Sequence, residues 1–317
     1  DFLFKLFKTE RFNKIINEST TGSVRQNLTF DILKTLDIAL PPIDVQKKLL
    51  EAYYRKSEKA LEQDIKAKEK ELEINDFLLS TLGISLEKSE RKKGITFTKF
   101  SFIDRWAADY LFNLNSIKGI TEGKYPVQKV RNFLLAYQYG LSSKATEEPI
   151  GIPMLRMNNI NNAELDIDDL KYIQIENGQK EKVILDKGDL LFNRTNSKEL
   201  VGKTAVFELD EEYTFASYLI RLKLDSTKAN VYFINFLFNS SIGRTQIDMI
   251  SRQVLGQANV NAQELQEFIF PLPDIKTQEK IVLKISEIKN EANALKQKAI
   301  LNRQEAIREL EQDIFKN

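Results

Sequence analysis

The chain states one architectural phrase twice. Leu40-Pro41-Pro42-Ile43-Asp44-Val45-Gln46-Lys47-Lys48 returns 232 residues later as Leu272-Pro273-Asp274-Ile275-Lys276-Thr277-Gln278-Glu279-Lys280. Asn27 and Leu33 recur at the same interval as Asn259 and Leu265; with one gap, Leu6-Phe7 and Ile16 recur as Leu237-Phe238 and Ile247. Each Pro-containing turn opens a stretch free of Gly and Pro, one over residues 43–82 closed by Gly83, the other over residues 275–316. A helix over the second would run about 63 Å at 1.5 Å per residue. The repeat therefore predicts an order: end of a domain, long helix, whole domain, long helix.

The second helix has the cleaner seam. Ile281, Ile285, Ile288, Ala292, Leu295, Ala299, Asn302 and Ala306 alternate steps of four and three, the spacing of a coiled coil. The first is rougher: Leu50, Tyr54, Ser57 and Leu61, then Ile65, Leu72 and Leu79, with residues 66–71 expected on a solvated face. Two arrangements fit, separate dimerisation coiled coils or pairing within one chain, and the repeat favours the second. Asn302 in the seam would fix register. Gly83 reads as a C′ glycine. The domain boundaries follow: 1–40 the end of a first domain, 41–84 the first helix, 85–98 a polar linker with the basic cluster Arg91-Lys92-Lys93, 99–271 a complete domain, and 272–317 the second helix. Asp1 opens the sequence within an apolar helical pattern, so the chain reads as part of a longer one.

Two zeros narrow the chemistry. The 317 residues contain no His and no Cys. That removes disulfides, thiolate or imidazole zinc sites, and Ser-His-Asp and Cys-His nucleophiles. Apolar content of 42% is that of a globular protein, and no apolar run approaches a membrane span. The net charge is +1, with no strongly basic segment, so charge alone would not draw the chain to phosphate. Asp109 with Glu122-Gly123-Lys124 loosely matches the acid…E-x-K spacing of metal-dependent nucleases, a pattern common by chance in a chain with 29% charged residues. No phosphate-binding G-x-x-x-x-G-K-[ST] loop is present. What remains is carboxylate, Lys or Tyr chemistry, Mg²⁺ sites built from oxygen, or no chemistry at all, and no cofactor is expected.

The complete domain mixes both periodicities. A short amphipathic helix is expected over residues 106–112. Strands are expected over 126–130, 152–157, 171–175, 189–192, 204–208 and 218–224, with helical spacing returning over 232–238 and 246–250. Gly188 supplies a positive-φ turn before the strand Leu190-Leu191-Phe192. The fold class is thus an α/β (α+β) domain combined with two long helices. Its polar loops carry donors and acceptors suited to nucleic acid: Tyr139, Ser142, Ser143 and Lys144; Arg156 and Asn158; Arg194 and Asn196; and Lys203. Arg, Asn and Lys match base edges, whereas Ser and Lys suit phosphates. Asn and Ser equally serve as turn caps, and Arg156 or Arg194 could instead pair with a nearby acid such as Asp189.

These motifs together resemble the DNA-specificity subunits of type I restriction-modification systems. The matching stretches are Tyr139-Gly140-Leu141-Ser142-Ser143-Lys144-Ala145, Gly151-Ile152-Pro153-Met154-Leu155-Arg156-Met157-Asn158-Asn159-Ile160 and Gly188-Asp189-Leu190-Leu191-Phe192-Asn193-Arg194. Val201-Gly202-Lys203-Thr204-Ala205, Gly256-Gln257-Ala258-Asn259-Val260 and the two Leu-Pro…Gln turns complete the set. The resemblance implies a non-catalytic, cytoplasmic prokaryotic subunit whose target recognition domain reads half of a bipartite site on double-stranded DNA. It implies two helices in an antiparallel coiled coil that act as a ruler, adenine methyltransferase subunits docked on them, and a restriction/translocase subunit that can join. Most of a first recognition domain is missing from the pattern. A coiled-coil interaction scaffold, or the specificity part of a fused methyltransferase-nuclease, are the alternatives.

Overall fold

The computed structural model describes residues 1–20, 28–86, 114–175, 177–250, 252–254 and 257–315. The chain divides into two compact units, Asp1–Ile74 with Ser286–Asn317, and Asn75–Ile285.

The first unit is helical. Short helices α1 (Phe2–Leu6), α2 (Glu10–Ser19) and α3 (Phe30–Thr35) precede α4 (Ile43–Leu82), and the chain's last helix, α10 (Ile275–Ile314), returns alongside. Thr9 and Thr29 cap α2 and α3 by accepting the N–H groups of Phe12 and Ile32, which satisfies donors a helix start leaves orphaned. Phe2, Leu6, Phe12 and Leu310 form its core, with Leu49, Leu50 and Tyr53 packed against it. Lys56 reaches Glu305 and Glu309, Asn302 donates to Gln63 at 2.7 Å, and Glu71 meets Lys296. Rising numbers in α4 meet falling numbers in α10, so the pair is antiparallel. Asn302 does sit at the seam, satisfied by another amide.

The seam of α10 follows the sequence pattern, with Ile288, Ala292, Ala299 and Ala306 buried. That of α4 does not. The structure buries Ala60 and Ala67 and leaves Tyr54, Leu61, Ile65 and Leu72 exposed. The reason is size: small side chains let two helices approach closely, so the alanines, which hydrophobic weight ignores, take the inner face. Within residues 66–71, Ala67 is buried while Lys70 and Glu71 bridge to α10. Gly83 (φ +65°) ends α4, and the Ile84 N–H donates to Leu79, as the C′ reading required.

The second unit is mixed. After α5 (Leu114–Thr121) come β1 (Val127–Lys129), β2 (Leu134–Tyr139), β3 (Ile152–Leu155), the hairpin β4 (Ile160–Asn161) and β5 (Glu164–Leu165), β6 (Lys171–Ile173) and α6 (Asn177–Val183). Then follow β7 (Leu190–Asn193), β8 (Thr195–Asn196), β9 (Thr204–Val206), β10 (Thr214–Phe215) and β11 (Leu219–Leu224). Helices α7 (Val231–Asn239) and α8 (Ser241–Ile250), strands β12 (Arg252–Val254) and β13 (Gln257–Asn259), α9 (Ala262–Gln266) and β14 (Ile269–Pro271) complete it. An antiparallel sheet runs β2-β11-β7-β9; β10-β3-β6 and β12-β13-β8 form two smaller ones, and β1 pairs with β14. Each expected strand is present, most trimmed at their ends. Tyr139 was expected in a loop, yet it ends β2.

Helix α7 is apolar almost all round and accordingly buried from Phe233 to Phe238. Its Phe238 ring lies 5.5 Å from Phe192, 5.5 Å from Phe268 and 4.8 Å from Phe270. Gln278, fully buried at the start of α10, donates to the Lys228 and Pro273 carbonyls and accepts the Asn230 N–H. The expected helix over 106–112, the cluster Arg91-Lys92-Lys93, most of the linker, Asp109 and Gly256 lie outside the described residues. Glu122 pairs with Lys118, and no group of three metal-ligating side chains occurs among the described residues.

Candidate nucleic-acid interface

The segment 215–218 gathers the candidate residues. The Leu141 N–H donates to Phe215, Ser217 donates to Leu141, Ala216 to Leu155, and Arg194 to Tyr218. Three chain segments, ending β2, β3 and β7, are thereby brought to one place. Gly140 makes this possible: a Cβ there would lie 2.3 Å from the carbonyl oxygens of Phe215 and Ala216. Gly202 plays the same part near Lys203, with φ +87° and Ile247 packed where a side chain would stand.

At the centre, the Arg194 guanidinium lies 4.8 Å from the Tyr139 ring centroid, a cation–π contact. The Tyr139 hydroxyl accepts the Ala262 N–H at 3.0 Å, which fixes the ring. Arg194 Nη2 donates to Asn259 Oδ1 at 3.4 Å and Nη1 to the Ser217 carbonyl at 3.5 Å. Both bonds are long, and Nε has no hydrogen-bond partner among the described residues. Asn196 sits opposite Ala258 in the β8–β13 pair, its Oδ1 accepting the Ser197 N–H.

The carboxylates decide what Arg194 is for. Arg131 pairs with Glu267, Arg156 with Asp169, Arg221 with Asp189 and Arg244 with Asp248. Among the described arginine side chains of this unit, Arg194 alone has no acid. Asp189 is already committed, 3.5 Å from Arg221 Nη1 and 3.3 Å from Lys223 Nζ. Burial holds its carboxyl above the ordinary range despite those two cations, whereas Lys223 draws the more exposed Asp186 below it. Arg221 also reaches Gln138 and the Ile184 carbonyl, so the Gln138 amide is used internally.

The other candidates divide. Ser142, Ser143 and Lys144 are exposed on the segment following Tyr139, and the exposed Asn158 side chain makes no hydrogen bond among the described residues. Arg156 is turned toward Asp169, whose carboxylate and carbonyl both accept from Nη2; the acid is not Asp189 but the pairing is the one foreseen. Lys203 is half-buried at the entry to β9, its carbonyl accepting the Asn193 N–H. Asn193, fully buried, also donates to the Met157 carbonyl at 3.5 Å, linking the Asn158 turn to Lys203. Asn193, Ser217, Tyr218 and Asn259 were not among the sequence candidates. Asn259 had a signal, its recurrence as Asn27.

The fold is a mixed α/β unit carried in one chain with a long antiparallel helix pair. Residues 136–305, more than half the chain, match the family model of the Type I restriction modification DNA specificity domain, and the chain belongs to that family. It is 27% identical over 182 residues to a putative type I restriction enzyme MjaX specificity subunit of Methanocaldococcus jannaschii, covering 56% of this chain and 43% of the relative. It is also 27% identical over 173 residues to the type I restriction enzyme EcoKI specificity subunit of Escherichia coli K12, covering 53% and 37%. The matches thus span less than half of these curated relatives. A solved structure from work on complex assembly and conformational transition of the type I R-M system superposes with a TM-score of 0.59 at 16% identity, over 99% of this chain and 70% of that one. It shares the fold.

Proposed function

We propose that this chain is the DNA-recognition subunit of a type I restriction-modification complex, and that residues 99–271 read one half of a bipartite target on double-stranded DNA. The observation that carries the proposal is Arg194: an arginine stacked on Tyr139, beside Asn259, and without an ion pair to any carboxylate among the described residues of its unit. An arginine fork of this kind matches guanine O6 and N7. Ser142, Ser143 and Lys144 suit phosphates, with Asn158, Asn196 and Lys203 at the margin and Arg156 holding the Asp169 turn.

On this reading the chain performs no catalysis. Adenine methyltransferase subunits dock on its helices, a restriction/translocase subunit joins them, and their basic surfaces supply the phosphate attraction that a net charge of +1 does not. The working compartment is the prokaryotic cytoplasm; no described helix is long and apolar enough to cross a membrane. Residues 1–40 are the end of a first recognition domain, 41–84 and 272–317 the two spacer helices, and 85–98 the linker.

Arg194→Ala tests it. Each good bidentate pair to a base is worth about 1–3 kcal/mol of discrimination, so the assembled complex should lose roughly tenfold or more in affinity for its target. The domain's melting should change only modestly, because what disappears is two long hydrogen bonds and one cation–π contact. Methylation of the cognate site at the wild-type rate removes the assignment. The exposed apolar faces of the helical unit favour a second reading, an interaction scaffold. It predicts that adding a methyltransferase subunit confers no duplex binding.

A further inference from the structure

One four-residue segment reaches Arg194 in three ways. Asn259 Oδ1 accepts from its Nη2 at 3.4 Å, and the Val260 N–H donates to its carbonyl at 2.9 Å. The Ala262 N–H donates to the Tyr139 hydroxyl at 3.0 Å, holding the ring against which the guanidinium lies. The segment is itself fixed. Asn259 stands opposite Thr195 in the β13–β8 pair, with Ala258 and Val260 fully buried on either side. Asn261 then opens α9 with a capping box: its Oδ1 accepts the Glu264 N–H at 2.9 Å, and the Glu264 carboxylate accepts the Asn261 N–H at 3.0 Å. A side chain on so constrained a backbone can set the direction of its neighbour.

The chemistry of the contact separates two roles for Asn259. A guanidinium carries only donors, so the amide must present its oxygen to Arg194. Bidentate reading of adenine needs that oxygen turned to the base edge, whereas here it is turned to Arg194. Asn259 therefore acts through the arginine rather than on a base. That it is an amide and not a carboxylate matters as well. Arg156 and Arg244 meet carboxylates at 2.8 and 2.7 Å, and charge-assisted bonds of that kind are about twice as strong as neutral ones. A neutral oxygen at 3.4 Å orients the fork without capturing it.

We propose that Asn259 is the positioning residue for Arg194: it aims the guanidinium at the base edge, and its neutrality leaves the fork free to bind there. The proposal rests on Arg194 reading a guanine and adds what directs it. Pre-orienting one long side chain lowers the conformational cost of each contact it makes, so the loss of Asn259 falls on the quality of the arginine's contact and not on the fold.

The test uses the full chain assembled with its cognate methyltransferase subunits, and duplexes of the cognate site in which each guanine is replaced in turn by 7-deazaguanine, which lacks the N7 acceptor. Wild type should lose about tenfold in affinity at one guanine, the worth of one hydrogen bond to a charged group. Arg194→Ala should be indifferent to that replacement. Asn259→Ala should keep the wild-type melting temperature yet lose most of the sensitivity, and should weaken binding no further in the Arg194→Ala background. Asn259→Asp, the same shape with a charge, should bind the unmodified site more weakly than Asn259→Ala, with an unchanged or higher melting temperature because the new carboxylate pairs with Arg194. A merely structural Asn259 would leave the 7-deazaguanine penalty intact and weaken both backgrounds equally; either result overturns the proposal. An Asp variant that binds like wild type overturns it too. If Arg194→Ala itself binds like wild type, the reading of Arg194 fails and takes the proposal with it. If Arg194→Ala loses affinity and the Asn259 variants do not, the reading stands and the proposal alone is wrong.

Discussion

The two copies of the repeat have the same local structure and opposite surroundings. In the second, Val260, Ala262 and Phe270 are buried, and Ile269–Pro271 pairs with Val127–Lys129. At the matching positions of the first, Leu28, Phe30 and Ile38 are exposed, Phe30 by 70% against 2% for Ala262. Helix α3 and helix α9 start on equivalent caps, Thr29 and Asn261. Local sequence thus builds both copies, whereas burial in the second comes from the sheet body. The first copy leaves the matching apolar side chains Leu28, Phe30 and Ile38 exposed. That difference supports reading residues 1–40 as the end of a first recognition domain.

The comparison breaks most readily at the aromatic pair Phe7 and Phe238. Phe238 is enclosed by three rings, whereas Phe7 stacks on Phe12 at 4.8 Å and stays half-buried. Phe238→Ala should cost about 3–5 kcal/mol in urea unfolding, the range for a buried aromatic lost from a core. Phe7→Ala should cost no more than about 1–2 kcal/mol, since less area leaves water. Equal losses would mean that the two copies are equally packed.

A smaller contrast sharpens it. Gln278 makes three hydrogen bonds while fully buried; Gln46, its counterpart, donates among the described residues to the Pro41 carbonyl alone. Gln278→Ala strands the Asn230 N–H and should cost about 2–3 kcal/mol, against about 0.5–1 kcal/mol for Gln46→Ala. Denaturant midpoints of the two variants decide it. A Gln46 loss matching that of Gln278 would show that Gln46 has a comparable clamp.

Much of this was legible before any coordinates. Long Gly- and Pro-free stretches and Gly83 set the helices, because helix ends are written in local residue choice. The α4 seam was not legible: Tyr54, Leu61, Ile65 and Leu72 carry the stronger periodic signal, and nothing local says that Ala60 and Ala67 face the neighbour. In the site, residue type and position after a strand marked Arg194. The stacking on Tyr139 depends on β11 lying between β2 and β7, and the neighbour Asn259 on β8 pairing with β13 across more than 60 residues. Long-range pairing of two- and three-residue strands leaves almost no periodicity to read. Arg156 and Arg194 looked alike in sequence; the placement of Asp169 separates them.

The smallest expected effect is alkaline and belongs to the second copy alone. The half-buried Tyr232 donates its hydroxyl to Glu208; Asp1 stands at the matching position of the first copy. Burial first, then the hydrogen bond and the charge of Glu208, push the phenol up to about 12. The folded value thus lies above the ordinary one of about 10. The stabilisation from the neutral phenol is fully present below about pH 10 and fades as the pH rises toward 12. Wild type should therefore lose its advantage over Tyr232→Phe across that window, while lysine deprotonation affects both chains alike and cancels in the difference. The group is partly exposed, so the shift in urea midpoint will be modest. Midpoints that run parallel through the window would show that the Tyr232–Glu208 bond contributes nothing, leaving the two copies distinguished by apolar burial alone.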